Sequence, residues 1–162
     1  MHKKDRIKLV NFLKLIASIL ICLGAGFIGS IFTMPSIKGW YSTLNKPFFS
    51  PPNWVFAPVW TALFILMGIS LYFVWSEKSK KRIAALSVFF VQLGLNILWS
   101  VLFFALHAPF LALIEIIILW GAIFLTIARF NRVKRESAAL LIPYILWVSF
   151  ASILNFSIWL LN

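Results

Sequence analysis

Polar side chains recur at helical spacing inside segments of this chain that are otherwise apolar. Gln92 and Asn96 lie four residues apart, and Tyr144, Trp147 and Asn155 follow the same helical period, so each set shares one face of a helix. Such groups hydrogen-bond either a neighbouring helix or a bound ligand. The two faces consist of Gln92, Asn96, Trp99 and Phe103, and of Tyr144, Trp147, Ala151 and Asn155.

Spacing leaves two interpretations of Gln92, Asn96 and Asn155 open. In the first, they form interhelical hydrogen bonds, each worth about 0.6–2 kcal/mol. In the second, some of them line a ligand cavity together with the indole rings on the same faces. The sequence pattern is compatible with both.

A single carboxyl group, Glu115, lies well inside another apolar segment, on a face with Leu111, Ile118 and Ala122. A charged carboxylate at the centre of a membrane helix costs about 2.5–3.5 kcal/mol. The sequence therefore predicts either a structural partner, for which Lys46 and His107 are candidates, or a role with a ligand or a proton.

Other chemistries find little support. The chain has one cysteine, Cys22, and two histidines that are far apart, so we expect neither a disulfide nor a metal site. We find no Ser-His-Asp set and no nucleotide-binding loop. No tightly bound cofactor is expected.

Composition sets the class of protein that must position these groups. Of 162 residues, 62% are hydrophobic and only 12% are charged, which is typical of an integral membrane protein. Pro109 predicts a break in the long apolar region after Ile83, since proline suits the first turn of a new helix. We therefore predict an all-α fold in one domain, residues 1–162, with five transmembrane helices in a bundle. The predicted helices are about 10–33, 53–76, 82–104, 109–130 and 136–161, with an outer loop at 34–52.

Basic residues predict the orientation of the bundle. Thirteen of the fifteen lysines and arginines lie at the N-terminus or in the loops after the second and fourth helices, and only Lys38 and Lys46 lie on the other side. This asymmetry predicts a cytoplasmic N-terminus and a C-terminus outside. The net charge of +11 then reflects topology and attraction to anionic lipid, and it gives no reason to expect a nucleic-acid partner.

The approach to the second helix is unusual. No charged residue lies between Lys46 and Glu77, and the start of this stretch holds four prolines together with Trp54 and Trp60. A membrane helix needs only one or two interfacial aromatic residues as anchors. So much rigid, flat, apolar surface suggests a lid over a site for a flat, apolar ligand.

Four linked motifs resemble the TspO/MBR family, which includes tryptophan-rich sensory and translocator proteins. They are Trp40-Tyr41-x-x-Leu44-x-Lys46-Pro47-x-x-x-Pro51-Pro52, Pro58-Val59-Trp60, Gln92-x-x-x-Asn96-x-x-Trp99-Ser100 and Pro143-Tyr144-x-x-Trp147-x-x-Phe150-Ala151-x-x-Leu154-Asn155. The resemblance implies a five-helix bundle, often a homodimer, in the inner membrane of a bacterium. It also implies a receptor or sensor for porphyrin or haem that regulates tetrapyrrole metabolism or stress responses.

The resemblance also implies a set of ligand-binding residues, with a lid from Trp40 to Pro52. Carried over to this sequence, these are Ala25, Trp40, Trp54, Trp60, Asn96, Leu111, Ile114, Ile118, Trp147, Ala151 and Leu154. Two other functions of the family stay open. One is a porphyrin transporter, and the other is an enzyme that degrades porphyrin with light and oxygen, in which Trp60 and Trp147 would be catalytic.

Two departures from the family pattern bear on ligands and assembly. No tyrosine or basic residue follows Ala151, so the cholesterol-recognition pattern is absent. In the third helix Ser87 is followed four residues later by Val91, so the small-residue pattern offered as a dimer face is not met.

The charge asymmetry yields a testable topology. A reporter that is active only outside the cytoplasm should work when it is fused to the C-terminus, and a reporter that is active only in the cytoplasm should be silent there. The reverse result, or two ends on the same side, would contradict the five-helix topology.

Overall fold

The computed structural model describes the backbone of residues 3–162 and the side chains from Asp5 onward, so the side chains of Lys3 and Lys4 lie outside the described part. Every regular element in that part is helical. The elements are α1 (Lys3–Ile37), α2 (Trp40–Thr43), α3 (Asn53–Ser76), α4 (Arg82–Ser100) with a π-helical turn (Val101–Ala105), α5 (Pro109–Asn131), α6 (Arg135–Ala139) and α7 (Ile142–Leu161).

Five stretches in the described residues are helical, long and apolar enough to cross a membrane. The predicted all-α, five-helix class is therefore confirmed, and the chain is a multi-pass membrane protein. Two bounds differ from the sequence prediction. Helix α1 extends beyond 10–33 at both ends, and the predicted last helix, 136–161, is divided into α6 and α7. The division arises at Pro143, which has no N–H to bond the Ala139 carbonyl.

The helices form a bundle in which α1 packs against α3 and α4, while α5 packs between α4 and α7. On the remaining side, α6 packs against α3, whereas α7 approaches α3 mainly through aromatic side chains. Phe56 meets Trp147 with ring centroids 6.0 Å apart, and Trp60 meets Tyr144 at 6.3 Å. The space between α3 and α7 is therefore not closed by backbone packing.

Helices α1 and α3 approach closely at glycines. A Cβ atom on Gly68 would lie 2.6 Å from the Cα of Ile19, and a Cβ on Gly26 would lie 2.5 Å from the ring of Phe64. Small residues permit this approach where no hydrophobic effect drives helices together in lipid. The contact fixes α1 against α3 in one half of the bundle.

The end of α4 widens into the π-helical turn. The Leu106 N–H bonds the Val101 carbonyl at 2.9 Å, which is the i→i+5 pattern of a π-helix. The hydroxyl of Ser36 on α1 donates to the Phe104 carbonyl at 2.6 Å, so α1 supplies a hydrogen bond to the altered turn. The turn buries Phe103 and Phe104.

Two of the basic loops lie together at one end of the bundle. Lys134, which precedes α6, donates to the Glu77 carboxylate after α3 at 2.9 Å, and this hydrogen bond raises the pKa of Lys134. Arg82 donates to the Trp75 and Glu77 carbonyls. These two loops carry eight of the thirteen basic residues that were predicted to lie on the cytoplasmic side, and they lie at the same end of the bundle.

The glycine contact predicts the effect of two alanine substitutions on stability. Gly68→Ala should lower the free energy of unfolding by about 1–3 kcal/mol, the usual range for overpacking, because the new methyl group meets the backbone of α1. Thermal unfolding of the purified protein in detergent measures this.

Gly121→Ala is the matched control, since nothing lies within 4 Å of a Cβ there. It should be neutral or stabilising, because alanine favours a helix over glycine. Equal effects of the two substitutions would contradict a packing role for Gly68.

Candidate functional site

A cavity of about 550 Å³ lies within the half of the bundle that contains the outer loop. Its walls come from α1, α3, the end of α4 with the π-helical turn, and α7, and α2 covers one end. Ligand pockets for drug-sized molecules measure about 300–1,000 Å³, so the space suits a ligand of that size. The aromatic side chains of its lining are Phe27, Tyr41, Phe56, Trp60, Phe64, Trp99, Phe103, Phe104 and Trp147.

One polar network joins α4 to α7 beside this cavity. The amide of Asn96 donates to the Tyr144 hydroxyl at 2.9 Å, and that hydroxyl donates to the Gln92 amide oxygen at 3.0 Å. All three side chains are buried, and Asn96 also lines the cavity. The predicted interhelical role is therefore observed for Gln92, while Asn96 combines it with a place in the wall.

A second network fixes Asn155. The indole N–H of Trp99 donates to its amide oxygen at 3.1 Å, and its amide nitrogen donates to the Pro109 carbonyl at 2.8 Å. Asn155 thereby ties α7 to α4 and to the first turn of α5. Both Asn155 and Trp99 line the cavity.

The indole N–H of Trp147 has no hydrogen-bond partner in the described part of the chain. Its ring lines the cavity, and its N–H is enclosed without an acceptor among the described residues. A buried indole N–H usually finds a hydrogen-bond partner, and leaving one unpaired costs about 1–3 kcal/mol. Trp147 thus carries an unpaired donor that is enclosed in the wall of the cavity.

The structure brings six of the predicted site residues into the cavity wall and leaves others outside it. Those in the wall are Trp60, Asn96, Trp147, Ala151, Leu154 and Asn155. Those outside it are Ala25, Trp40, Trp54, Gln92, Leu111, Ile114, Glu115 and Ile118.

Helix α5 contributes nothing to the wall, which corrects the predicted placement of Leu111, Ile114 and Ile118. These side chains are 50%, 45% and 56% exposed on the outer face of the bundle. The buried face of α5 is shifted by one residue, to Ala112, Ile116, Leu119 and Ile123. It packs against α4 and α7 rather than facing the space between α7 and α3.

Three further predicted residues point elsewhere. Trp54 is 74% exposed at the start of α3. Ala25 belongs to the packed core of the bundle, because the side of α1 that faces the cavity is one residue further on, at Gly26. Trp40 stacks on His107 with centroids 4.3 Å apart, in a separate groove beside α5.

Glu115 is buried on the inner face of α5, and neither carboxyl oxygen has a hydrogen-bond partner among the described residues. Its two predicted partners lie elsewhere: Lys46 sits over the Tyr41 ring at 4.5 Å, and His107 stacks on Trp40. The predicted pairings are therefore absent.

Sequence reasoning missed the α1 wall of the cavity and, apart from Trp60, the α3 wall. Phe27, Phe56 and Phe64 look like ordinary apolar residues of a membrane helix, so no spacing signal separates them from lipid-facing neighbours. In α1, Ala25 and Gly29, and likewise Gly26 and Ser30, lie four residues apart, a spacing of small residues that permits close helix approach. That spacing was the one available signal for the face of α1 that lines the cavity.

Comparison of the sequence with known proteins identifies the family. The sequence model of the TspO/MBR family matches residues 18–160. The chain belongs to the TspO/MBR family.

Its relatives within the TspO/MBR family come from distant organisms. The chain is 50% identical over 153 residues to the tryptophan-rich protein TspO of Archaeoglobus fulgidus, covering 94% of this chain and 99% of that protein. It is 35% identical to the translocator protein of Homo sapiens (82% and 80% covered). It is 33% identical to the tryptophan-rich sensory protein of Cereibacter sphaeroides (76% and 77%). Membership is consistent with a membrane receptor.

The network at Tyr144 gives a prediction for this TspO/MBR protein. Tyr144→Phe removes the hydroxyl that links Asn96 and Gln92 and leaves both buried amides short of a partner. We expect a loss of about 1–3 kcal/mol of unfolding free energy, measured by thermal unfolding in detergent.

Tyr72→Phe is the control, because Tyr72 is only half-buried and lies outside this network. A loss in Tyr144→Phe no larger than in Tyr72→Phe would contradict a structural role for the network.

Proposed function

We propose that this protein is a membrane receptor that binds a tetrapyrrole, protoporphyrin IX or haem, in the cavity between α3 and α7. One observation carries the proposal: aromatic rings line an apolar cavity of about 550 Å³ whose wall holds an unpaired indole donor, Trp147. A flat, apolar ring system with acceptor groups at its edge suits such a space. A role in regulating tetrapyrrole metabolism or stress responses would follow from ligand occupancy.

The two indoles of the cavity support a flat ligand. Trp60 stacks near-parallel on Phe64 with centroids 5.7 Å apart, and Trp147 contacts Phe56 and Phe150. Aromatic pairs gain about 0.5–1.5 kcal/mol beyond the area they bury. These contacts hold the rings in place, so that a planar ligand meets a preformed wall.

The polar groups of the wall are few, which also suits a tetrapyrrole. Asn96 and Asn155 are already bonded to Tyr144 and Trp99, so they need no ligand to be satisfied. Of the three indoles in the wall, only Trp99 donates a hydrogen bond to a described residue, and the N–H of Trp147 is enclosed without an acceptor. Because that N–H is enclosed, a ligand acceptor would pair with it only if the indole ring turned toward the cavity.

The same residues favour a second candidate function, the light- and oxygen-dependent degradation of porphyrin. Trp60 and Trp147 both line the cavity, so both indoles would lie within reach of a bound porphyrin. An indole can give an electron to an excited porphyrin, with molecular oxygen as the oxidant.

The cavity predicts that a larger side chain in its wall will weaken porphyrin binding. Ala151 is 9% exposed on the cavity face of α7, so Ala151→Phe should occupy ligand space. Binding of protoporphyrin IX should weaken by at least about 1 kcal/mol, the lower end of overpacking costs, in a titration followed by tryptophan quenching.

Ile153→Phe is the matched control, because Ile153 lies on the lipid-facing side of the same helix and is 58% exposed. It should bind with parental affinity. If a well-folded Ala151→Phe protein also keeps the parental affinity, the ligand does not occupy this cavity.

Substituting the indoles separates binding from degradation. Trp60→Phe and Trp147→Phe keep an aromatic face and should largely retain porphyrin binding, while any light-dependent loss of porphyrin should slow. Absorbance of the porphyrin under illumination with oxygen measures the rate.

Parental degradation rates in both variants would make these tryptophans packing elements. A parent protein that shows no degradation in light and oxygen would eliminate the second function and leave the receptor.

A further inference from the structure

The cavity wall is exposed on one side only. Its lining residues on α7, including Leu154 and Ile158, are buried, whereas Phe27 and Met34 on α1 are 68% and 69% exposed. On α3 the lining residues Asn53, Ala57 and Thr61 are exposed as well. The exposed edge of the cavity therefore lies along α1 and α3, two helices that are long and apolar enough to cross a membrane.

The packing of these helices explains where the opening begins. Gly68 meets the backbone of Ile19, and Gly26 meets the ring of Phe64, so α1 and α3 touch in one half of the bundle. Beyond the level of Gly26, both helices contribute lining residues to the cavity. The open space thus lies between them from that level to the outer loop.

The residues at the edge of this opening present no free hydroxyl donor, although three of them carry hydroxyl groups. Ser30 donates to the Phe27 carbonyl at 2.7 Å, Thr33 to the Gly29 carbonyl at 3.0 Å, and Thr61 to the Ala57 carbonyl at 2.8 Å. Each hydroxyl proton is therefore used within its own helix. An apolar ring can pass without breaking a hydrogen bond.

The outer loop is tied down over one end of the cavity. The Asn162 side chain accepts from the Asn45 N–H at 2.9 Å and donates to the Asn45 carbonyl at 3.0 Å, which joins the end of α7 to the loop. Beneath the loop, Tyr41 is 5% exposed and lines the cavity, with Lys46 over its ring. Burial raises the pKa of Tyr41, opposed by a hydrogen bond with Ser50.

We propose that the ligand enters the cavity sideways from the bilayer, through the opening between α1 and α3, and not from water through the outer loop. The inference rests on the proposed function for the identity of the ligand. It defines the class of ligand as amphiphiles that partition into lipid before they bind. The ligand concentration that sets the rate of binding is then its concentration in the membrane.

Binding kinetics in proteoliposomes test the route, with protoporphyrin IX supplied from donor vesicles and followed by porphyrin fluorescence. Ala57→Trp places a bulky ring in the opening and should slow association and dissociation alike, each by about tenfold. A ring that only took up space in the cavity, whose wall includes Ala57, would instead speed dissociation. Ala62→Trp is the control, because Ala62 is exposed on α3 but does not line the cavity. It should keep parental rates.

Asn162→Ala tests the alternative route. It removes two of the three hydrogen bonds between the loop and the end of α7 and leaves the one from the Asn45 amide to the Leu161 carbonyl. Association should still stay within about twofold of the parental rate, because the loop is not on the path. An association rate that rises severalfold in Asn162→Ala, or one that is unchanged in Ala57→Trp, would overturn the proposal.

A ligand-independent measurement separates this inference from the proposed function. If the parent fails to bind protoporphyrin IX, the proposed function is wrong, and the route is still decided by labelling an Ala151→Cys protein in liposomes. Cys22 is fully buried, so background labelling by the parent should be low. A lipid-soluble maleimide should label the new thiol at least about tenfold faster than a charged, water-soluble one.

The Ala57→Trp variant and its Ala62→Trp control also test the route in this labelling experiment. Ala57→Trp should slow the lipid-borne reaction in the Ala151→Cys background, and Ala62→Trp should not. Faster labelling by the charged reagent, or no effect of Ala57→Trp, would place the entrance in the outer loop and overturn the proposal.

Discussion

Polar groups that enter the bilayer must find their hydrogen bonds within the protein, and the bundle is organised around this constraint. Tyr144 lies at its centre, since its hydroxyl both accepts from Asn96 and donates to Gln92. Asn155 repeats the arrangement by accepting from Trp99 and donating to the Pro109 carbonyl. These bonds hold α7 to α4 and α5 without filling the space on the other side of α7. The cavity is what remains between a firmly held α7 and α3.

Two kinds of contact complete the cavity. Glycines bring α1 and α3 together in one half of the bundle, and aromatic side chains bridge α3 and α7 in the other. The π-helical turn at the end of α4 buries Phe103 and Phe104 against the same space. A rigid aromatic wall, a loop tied to the end of α7 and exposed lining residues on α1 and α3 then surround the space between α3 and α7.

Much of this could be predicted from the sequence, because membrane helices follow from length and hydropathy alone. The faces of α4 and α7 were also predicted correctly as sets, since polar and aromatic residues at helical spacing marked them. The sequence prediction oriented α5 by its one carboxyl group, Glu115, whereas the buried stripe that begins at Ala112 lies one position away from Leu111. The π-helical turn has no sequence signal of its own. Of the α1 and α3 walls the sequence marked only Trp60, because the other apolar residues there, such as Phe27 and Phe64, look the same whether they face lipid or a cavity.

The most direct measurement is an experimental map of the protein with protoporphyrin IX bound. We expect the porphyrin ring between α3 and α7, in contact with Trp60 and Trp147, with an acceptor group near the Trp147 N–H. Density in the groove beside Trp40 and His107, or on the exposed face of α5 at Leu111 and Ile118, would contradict the assignment of the cavity as the tetrapyrrole site.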